Sequence, residues 1–80
     1  MMEPKAAIRE FLRDLLARKS DTQPFGDDTS LLLSGRLQSV DAVALAVFLE
    51  DHYGVDFASL GFDQESLDTV DAISNLVGNQ

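Results

Sequence analysis

The sequence predicts a small all-α protein, a four-helix bundle with a long first loop and a short third helix. Three observations carry this. Apolar residues recur at helical spacing in the first and last segments, the segment from Ser39 to Tyr53 is apolar most of the way round, and no stretch alternates like a strand. Eighty residues allow one domain, residues 1–80. A chain of that size buries only about 60–65% of the surface it exposes when unfolded.

The first helix is expected over about residues 4–18. Ile8, Phe11, Leu12, Leu15 and Leu16 form one continuous stripe, and Pro4 suits a first helical turn. Residues 20–38 read as a long connection rich in turn formers, including Pro24, Gly26, Asp27, Asp28 and Gly35. A loop of this length is usually functional or packed down, and Leu31, Leu32 and Leu33 supply the means to pack, with a short turn of helix expected near Thr29–Leu33.

The second helix is expected over 39–53, with Ser39 as N-cap, Asp41 in the first turn and Gly54 ending the run. Its apolar residues fall on two stripes. Ala42, Leu45, Ala46, Leu49 and Tyr53 form one; Val40, Val43, Ala44, Val47 and Phe48 form the other. A domain this small has little protein to bury both. Loop leucines should cover part of the second stripe, and part should remain as an exposed docking surface rimmed by acids. Phe62-Asp63-Gln64-Glu65-Ser66-Leu67 makes a short helix, expected over 63–67, after a turn-rich stretch through Gly61. Asp68-Thr69 then caps a last helix over about 69–78, with Val70, Ile73, Leu76 and Val77 inward.

The formal charge is −8, unevenly placed. Residues 1–19 carry five bases against three acids, a net of +2; residues 20–80 carry Arg36 against eleven acids, a net of −10. Such a segment repels nucleic acid and anionic membranes and attracts basic protein surfaces, although acids also simply keep small domains soluble. The longest uncharged stretch, Ala42 to Leu49, is far short of the roughly 20 residues that span a bilayer. Glu3 and Pro4 interrupt the start, so no secretory signal is expected. A soluble, monomeric, cytoplasmic protein is the expectation.

Enzymatic readings find no machinery. Cysteine is absent, and His52 has no second histidine with which to build a site. An EF-hand loop starting at Asp56 would place Gly61 correctly, but Ala58, Leu60 and Leu67 would stand where oxygen ligands belong. The acid pairs Asp27/Asp28 and Asp63/Glu65 read as turn formers, so no metal site is expected.

Ser39 remains. A serine before an apolar helical run is a plain N-cap in most proteins. Here it follows a packed loop, and a helix N-terminus favours an attached phosphate, because free N–H groups and the dipole both suit negative charge. The helix it opens also carries the surplus apolar stripe.

These residues resemble the acyl carrier proteins, whose signature is a serine preceded by Asp and followed by Leu at the start of the second of four helices. Here the motif reads Gln38-Ser39-Val40-Asp41. The Leu31-Leu32-Leu33-Ser34-Gly35 run, the Leu49-Glu50-Asp51-His52-Tyr53-Gly54 close and Leu67-Asp68-Thr69-Val70-Asp71-Ala72-Ile73 also look like carrier-protein segments. Residues 27–77 carry the likeness best.

The resemblance implies a non-enzymatic carrier in which Ser39 receives 4′-phosphopantetheine from coenzyme A through a magnesium-dependent transferase. Acyl groups would ride on the arm as thioesters, for fatty-acid, lipid or polyketide synthesis. Partner enzymes with basic docking surfaces would read Gln38, Val40, Asp41, Val43, Ala44, Val47, Glu50 and Asp51. Leu45, Ala46 and Leu49 would face the core and shelter the chain. Gln38 stands where the family has Asp, and Val40 where it has Leu, which suggests a specialised carrier with its own partners. Two other readings stay open: a carrier of aminoacyl groups, and an unmodified helical interaction module in which Ser39 is only a cap.

Overall fold

The computed structural model describes residues 4–61 and 63–78, apart from the side chain of Leu60. Glu3 and Phe62, which entered the sequence reading, lie outside them. The described residues are helical or irregular, with no strand. The helices are α1 (Pro4–Ala17), α2 (Ser39–Tyr53), α3 (Phe57–Leu60) and α4 (Val70–Gly78), with a 3₁₀ turn at Gln64–Leu67 before the last.

Helix α1 begins at Pro4 and buries Ile8, Leu12, Leu15 and Leu16, while Phe11 is half-buried at the edge of the stripe. Ser20, with φ at 62°, ends it. The Ser20 N–H donates to Ala17 O at 3.0 Å and the Asp21 N–H to Leu16 O at 2.9 Å, which is the Schellman pattern with serine in the place glycine usually fills. Helix α1 packs chiefly on α4 and also touches α2, and the 3₁₀ turn bridges α4 and α2.

The long loop is packed down, as its leucines suggest, but no helix forms near Thr29–Leu33. Turns occupy 32–35 instead. The reason is Asp68. Its carboxylate accepts the N–H groups of Leu31, Leu32 and Leu33 at 3.1, 2.8 and 2.8 Å and the Ser30 hydroxyl at 2.9 Å. With those donors turned toward one oxygen, Leu31, Leu32 and Leu37 go into the core and Leu33 is left outside. A second tie holds the start of the loop: Arg36 Nε and Nη2 donate to the two oxygens of Asp21 at 3.1 and 3.2 Å. That guanidinium holds the Asp21 carboxyl below its ordinary value, helped by the Gln23 N–H and opposed by partial burial.

Helix α2 stops at Gly54, whose φ of 67° lets its N–H reach Glu50 O at 3.1 Å. Helix α3, a single turn, falls in the stretch read only as turns. Asp56 caps it by accepting the Ala58 and Ser59 N–H groups at 3.1 and 3.3 Å. The expected helix over 63–67 is the 3₁₀ turn, held by Asp63, which accepts the Glu65 N–H at 3.0 Å. In α4 the capping is divided: Thr69 Oγ1 accepts the Ala72 N–H at 3.0 Å, while Asp68 serves the loop. Val70 and Ile73 are buried, and Leu76 and Val77 pack on the core at its margin. No helix among the described residues is long and apolar enough to cross a membrane.

Candidate functional site at the start of the second helix

Ser39 is the first residue of α2, and the cap position falls to Gln38, whose backbone is extended. The N-terminal order therefore differs from the expected one by a residue. The Asp41 carboxylate accepts the Gln38 N–H at 2.8 Å, which is half of a capping box. Helix capping thus makes no use of the Ser39 hydroxyl. Ser39 is exposed; the Asp41 N–H donates to Gln38 O at 2.9 Å, which leaves those of Ser39 and Val40 as the first-turn donors outside the helix ladder. Gln64, on the 3₁₀ turn, brings its side-chain Nε2 to 3.5 Å from the Ser39 Oγ.

Asp41 turns inward. Its carboxylate is 2.8 Å from the Lys19 ammonium, and the side chain is only 13% exposed. Burial alone would raise its pKa. The Lys19 ammonium, the Gln38 N–H and the positive charge of Arg18 outweigh that and hold it below the ordinary aspartate value. Of the acids expected to face partners, Glu50 and Asp51 are exposed on the last turns of α2, and Asp41 ties α2 to the turn that follows α1. Replacing Asp41 by Ala should therefore destabilise the fold by about 1–2 kcal/mol through the lost cap and pair. A thermal melt should show it as a fall of roughly 5–10 °C. Lys19→Ala should add little to that fall when combined with it, since both changes remove the same pair.

The two stripes of α2 separate as follows. Ala42, Leu45, Ala46 and Leu49 are buried, so the three residues expected to shelter a chain lie in the core beside α1. On the other side Phe48 stacks on Phe11 with ring centroids 4.3 Å apart, and His52 lies 4.4 Å from Phe48 on its other flank. Ala44 is half-buried against the core. Val40, Val43 and Val47 stand 69%, 56% and 50% exposed, and Leu33 in the loop is 61% exposed. Ala44 and Phe48, the covered part of the second stripe, pack against a core to which the loop residues Leu31, Leu32 and Leu37 belong. The spacing of Val40, Val43 and Val47 makes the uncovered part a strip running from Ser39 toward Glu50 and Asp51.

Two features had no counterpart in the sequence reading. Gln64 is an exposed polar residue in a turn, and nothing local marks it; only the fold brings it to Ser39. A groove of about 520 Å³ also runs between α1 and the loop, bordered by Arg9, Arg13, Leu16, Pro24 and Phe25, and none of the expected site residues lines it. Compared with protein-family models, curated proteins and solved structures, the chain finds no match in any of the three.

Proposed function

We propose that this chain is a carrier protein of the acyl-carrier type, with 4′-phosphopantetheine attached at Ser39. One observation carries the reading. The Ser39 hydroxyl is exposed on the first turn of α2 and is left unused by the capping, which Gln38 and Asp41 perform. A serine serving only as a cap would spend that oxygen on its own helix.

The residues around it fit a phosphodiester-linked group. First-turn N–H groups and the helix dipole favour an attached anion, and the nearby carboxylate of Asp41 is neutralised by Lys19. In the attachment, Ser39 Oγ bonds to the phosphorus of the pantetheine phosphate as the pyrophosphate bond of coenzyme A breaks. The nucleotide leaves, and the hydroxyl proton passes to a base of the transferase. The arm supplies what a cysteine-free chain lacks, a terminal thiol that holds an acyl group as a thioester. Val40, Val43 and Val47 then offer partner enzymes an apolar strip beside the attachment point. Leu45, Ala46 and Leu49, buried on the core side of α2, would shelter an acyl chain folding back from it.

The test is an intact-mass measurement after incubation with coenzyme A, magnesium and a broad-specificity phosphopantetheinyl transferase. The expected result is complete conversion to a product heavier by one arm, and none for Ser39→Ala. Ser39→Ala should still fold like the parent, because the hydroxyl takes no part in capping. An unmodified parent, or a Ser39→Ala protein that still gains mass, rejects the carrier reading.

A further inference from the structure

We infer that Gln64 is a positioning residue for the group carried on Ser39, its side-chain amide serving as hydrogen-bond donor to the phosphodiester. The inference rests on the carrier reading and adds a residue to it.

The observation is the approach of Gln64 Nε2 to Ser39 Oγ at 3.5 Å, between residues 25 apart in sequence. At that length, between two exposed side chains, the contact is a poor hydrogen bond and contributes little to stability. Its placement is nevertheless well determined. Asp63 caps the 3₁₀ turn through the Glu65 N–H at 3.0 Å, and the Ser66 N–H returns to Asp63 O at 3.1 Å. Leu67 is fully buried, and Asp68 is tied to the loop by its own hydrogen bonds. The turn thus brings a neutral donor to the hydroxyl that the capping of α2 leaves unused.

Esterification changes what that donor meets. Ser39 Oγ loses its proton and becomes a weak ester acceptor, while charged phosphoryl oxygens appear just beyond it. A 3.5 Å contact that is too long for Oγ leaves room for those oxygens to come within ordinary reach. A hydrogen bond to an ionised acceptor is shorter and about twice as strong as a neutral one. The amide brings no charge of its own, and the neighbouring Lys19–Asp41 pair is neutral as a whole; between the acids Asp63 and Glu65, Gln64 is the side chain of this turn that approaches an anion without adding repulsion. A carboxylate in the place of Gln64 would supply that repulsion with nearly the same shape.

The experiment uses ¹⁵N-labelled full-length protein before and after modification with coenzyme A and the transferase, with conversion confirmed by mass. The chain has six side-chain amide groups, from Gln23, Gln38, Gln64, Asn75, Asn79 and Gln80. On modification the Gln64 amide pair should shift well beyond those of Gln23 and Asn75, and its exchange with water should slow by roughly threefold or more. The ³¹P line of the modified Gln64→Ala protein should differ from that of the parent, and that of Gln64→Glu should differ further. All three proteins should melt together. A modified protein whose Gln64 amide stays with the reference amides, or whose ³¹P line ignores both substitutions, overturns the role of Gln64 and leaves the carrier reading intact. Failure of Ser39 to gain mass at all overturns both.

Discussion

Replacing Asp68 by Ala should destabilise the protein by roughly 3–4 kcal/mol, because it strips the acceptor from the Ser30 hydroxyl and from the N–H groups of Leu32 and Leu33, while the Leu31 N–H keeps the Asp68 carbonyl at 2.9 Å. Each buried donor left without a partner costs about 1–3 kcal/mol, and the loss is large against the roughly 4–12 kcal/mol expected of an 80-residue domain. The melting temperature should fall by roughly 15 °C or more. Asp68→Asn keeps an oxygen in place and should lose only the charge assistance, about 1–2 kcal/mol. A pH series separates the two contributions. Burial pushes the Asp68 pKa up, but the hydrogen bonds from Leu33, Ser30, Leu32 and Leu31 outweigh it, and the folded value lies below the ordinary one. The folded state therefore holds fewer protons than the unfolded state near the unfolded pKa, about 3.9. The stabilisation from the charge is complete above that pH and is lost as pH falls through the folded value. Urea titrations should accordingly show the gap between parent and Asp68→Asn closing below about pH 4. A gap that is constant from neutral pH down to full acid unfolding would mean that the charge is not what holds the loop.

Much of this fold could be read from the chain because the strongest signals are local. The stripe from Ile8 to Leu16 is periodic and begins at a proline, Gly54 sits where a left-handed residue must end α2, and Val70 and Ile73 follow a threonine cap. What escaped depends on contacts distant in sequence. Asp68 reads as a cap for the helix that follows it, yet its carboxylate goes to Ser30 and the three leucines, 35 or more residues away. Helix α3 is a single turn defined by one aspartate, too short to show a period. Part of the −10 segment also meets bases of the first nineteen residues, which spacing does not show: Lys5 and Arg9 of α1 bind Asp27, Lys5 also binds Asp71, and Lys19, just past α1, binds Asp41. At the site, the exposed valines could be read from spacing, whereas the shift of Ser39 to one residue inside the cap, the inward turn of Asp41 and the approach of Gln64 required the packed helices.

On the carrier reading, that pairing bears on how a partner should recognise the protein. Val43→Asp/Val47→Asp should lower kcat/KM for transferase modification by roughly a hundredfold, with the melting temperature nearly unchanged. Both side chains are half or more exposed, so the folded state loses little. In a complex docked on this strip each would be an apolar anchor, and a carboxylate there would be desolvated without a partner, which costs a few kcal/mol per interface. Charge reversal at the end of the strip, Glu50→Lys/Asp51→Lys, should act differently. Rim charges in solvent contribute about 0.2–1 kcal/mol each and govern association rate, so the loss should be roughly three- to thirtyfold and should shrink as salt is added. The ordering of the two variants is the decisive result. If the lysine variant is the more damaged and rescue by salt is complete, the partner reads acids. If the valine variant is the more damaged at every ionic strength, recognition runs through the aliphatic strip, as expected of a helix whose first acid is already held by Lys19.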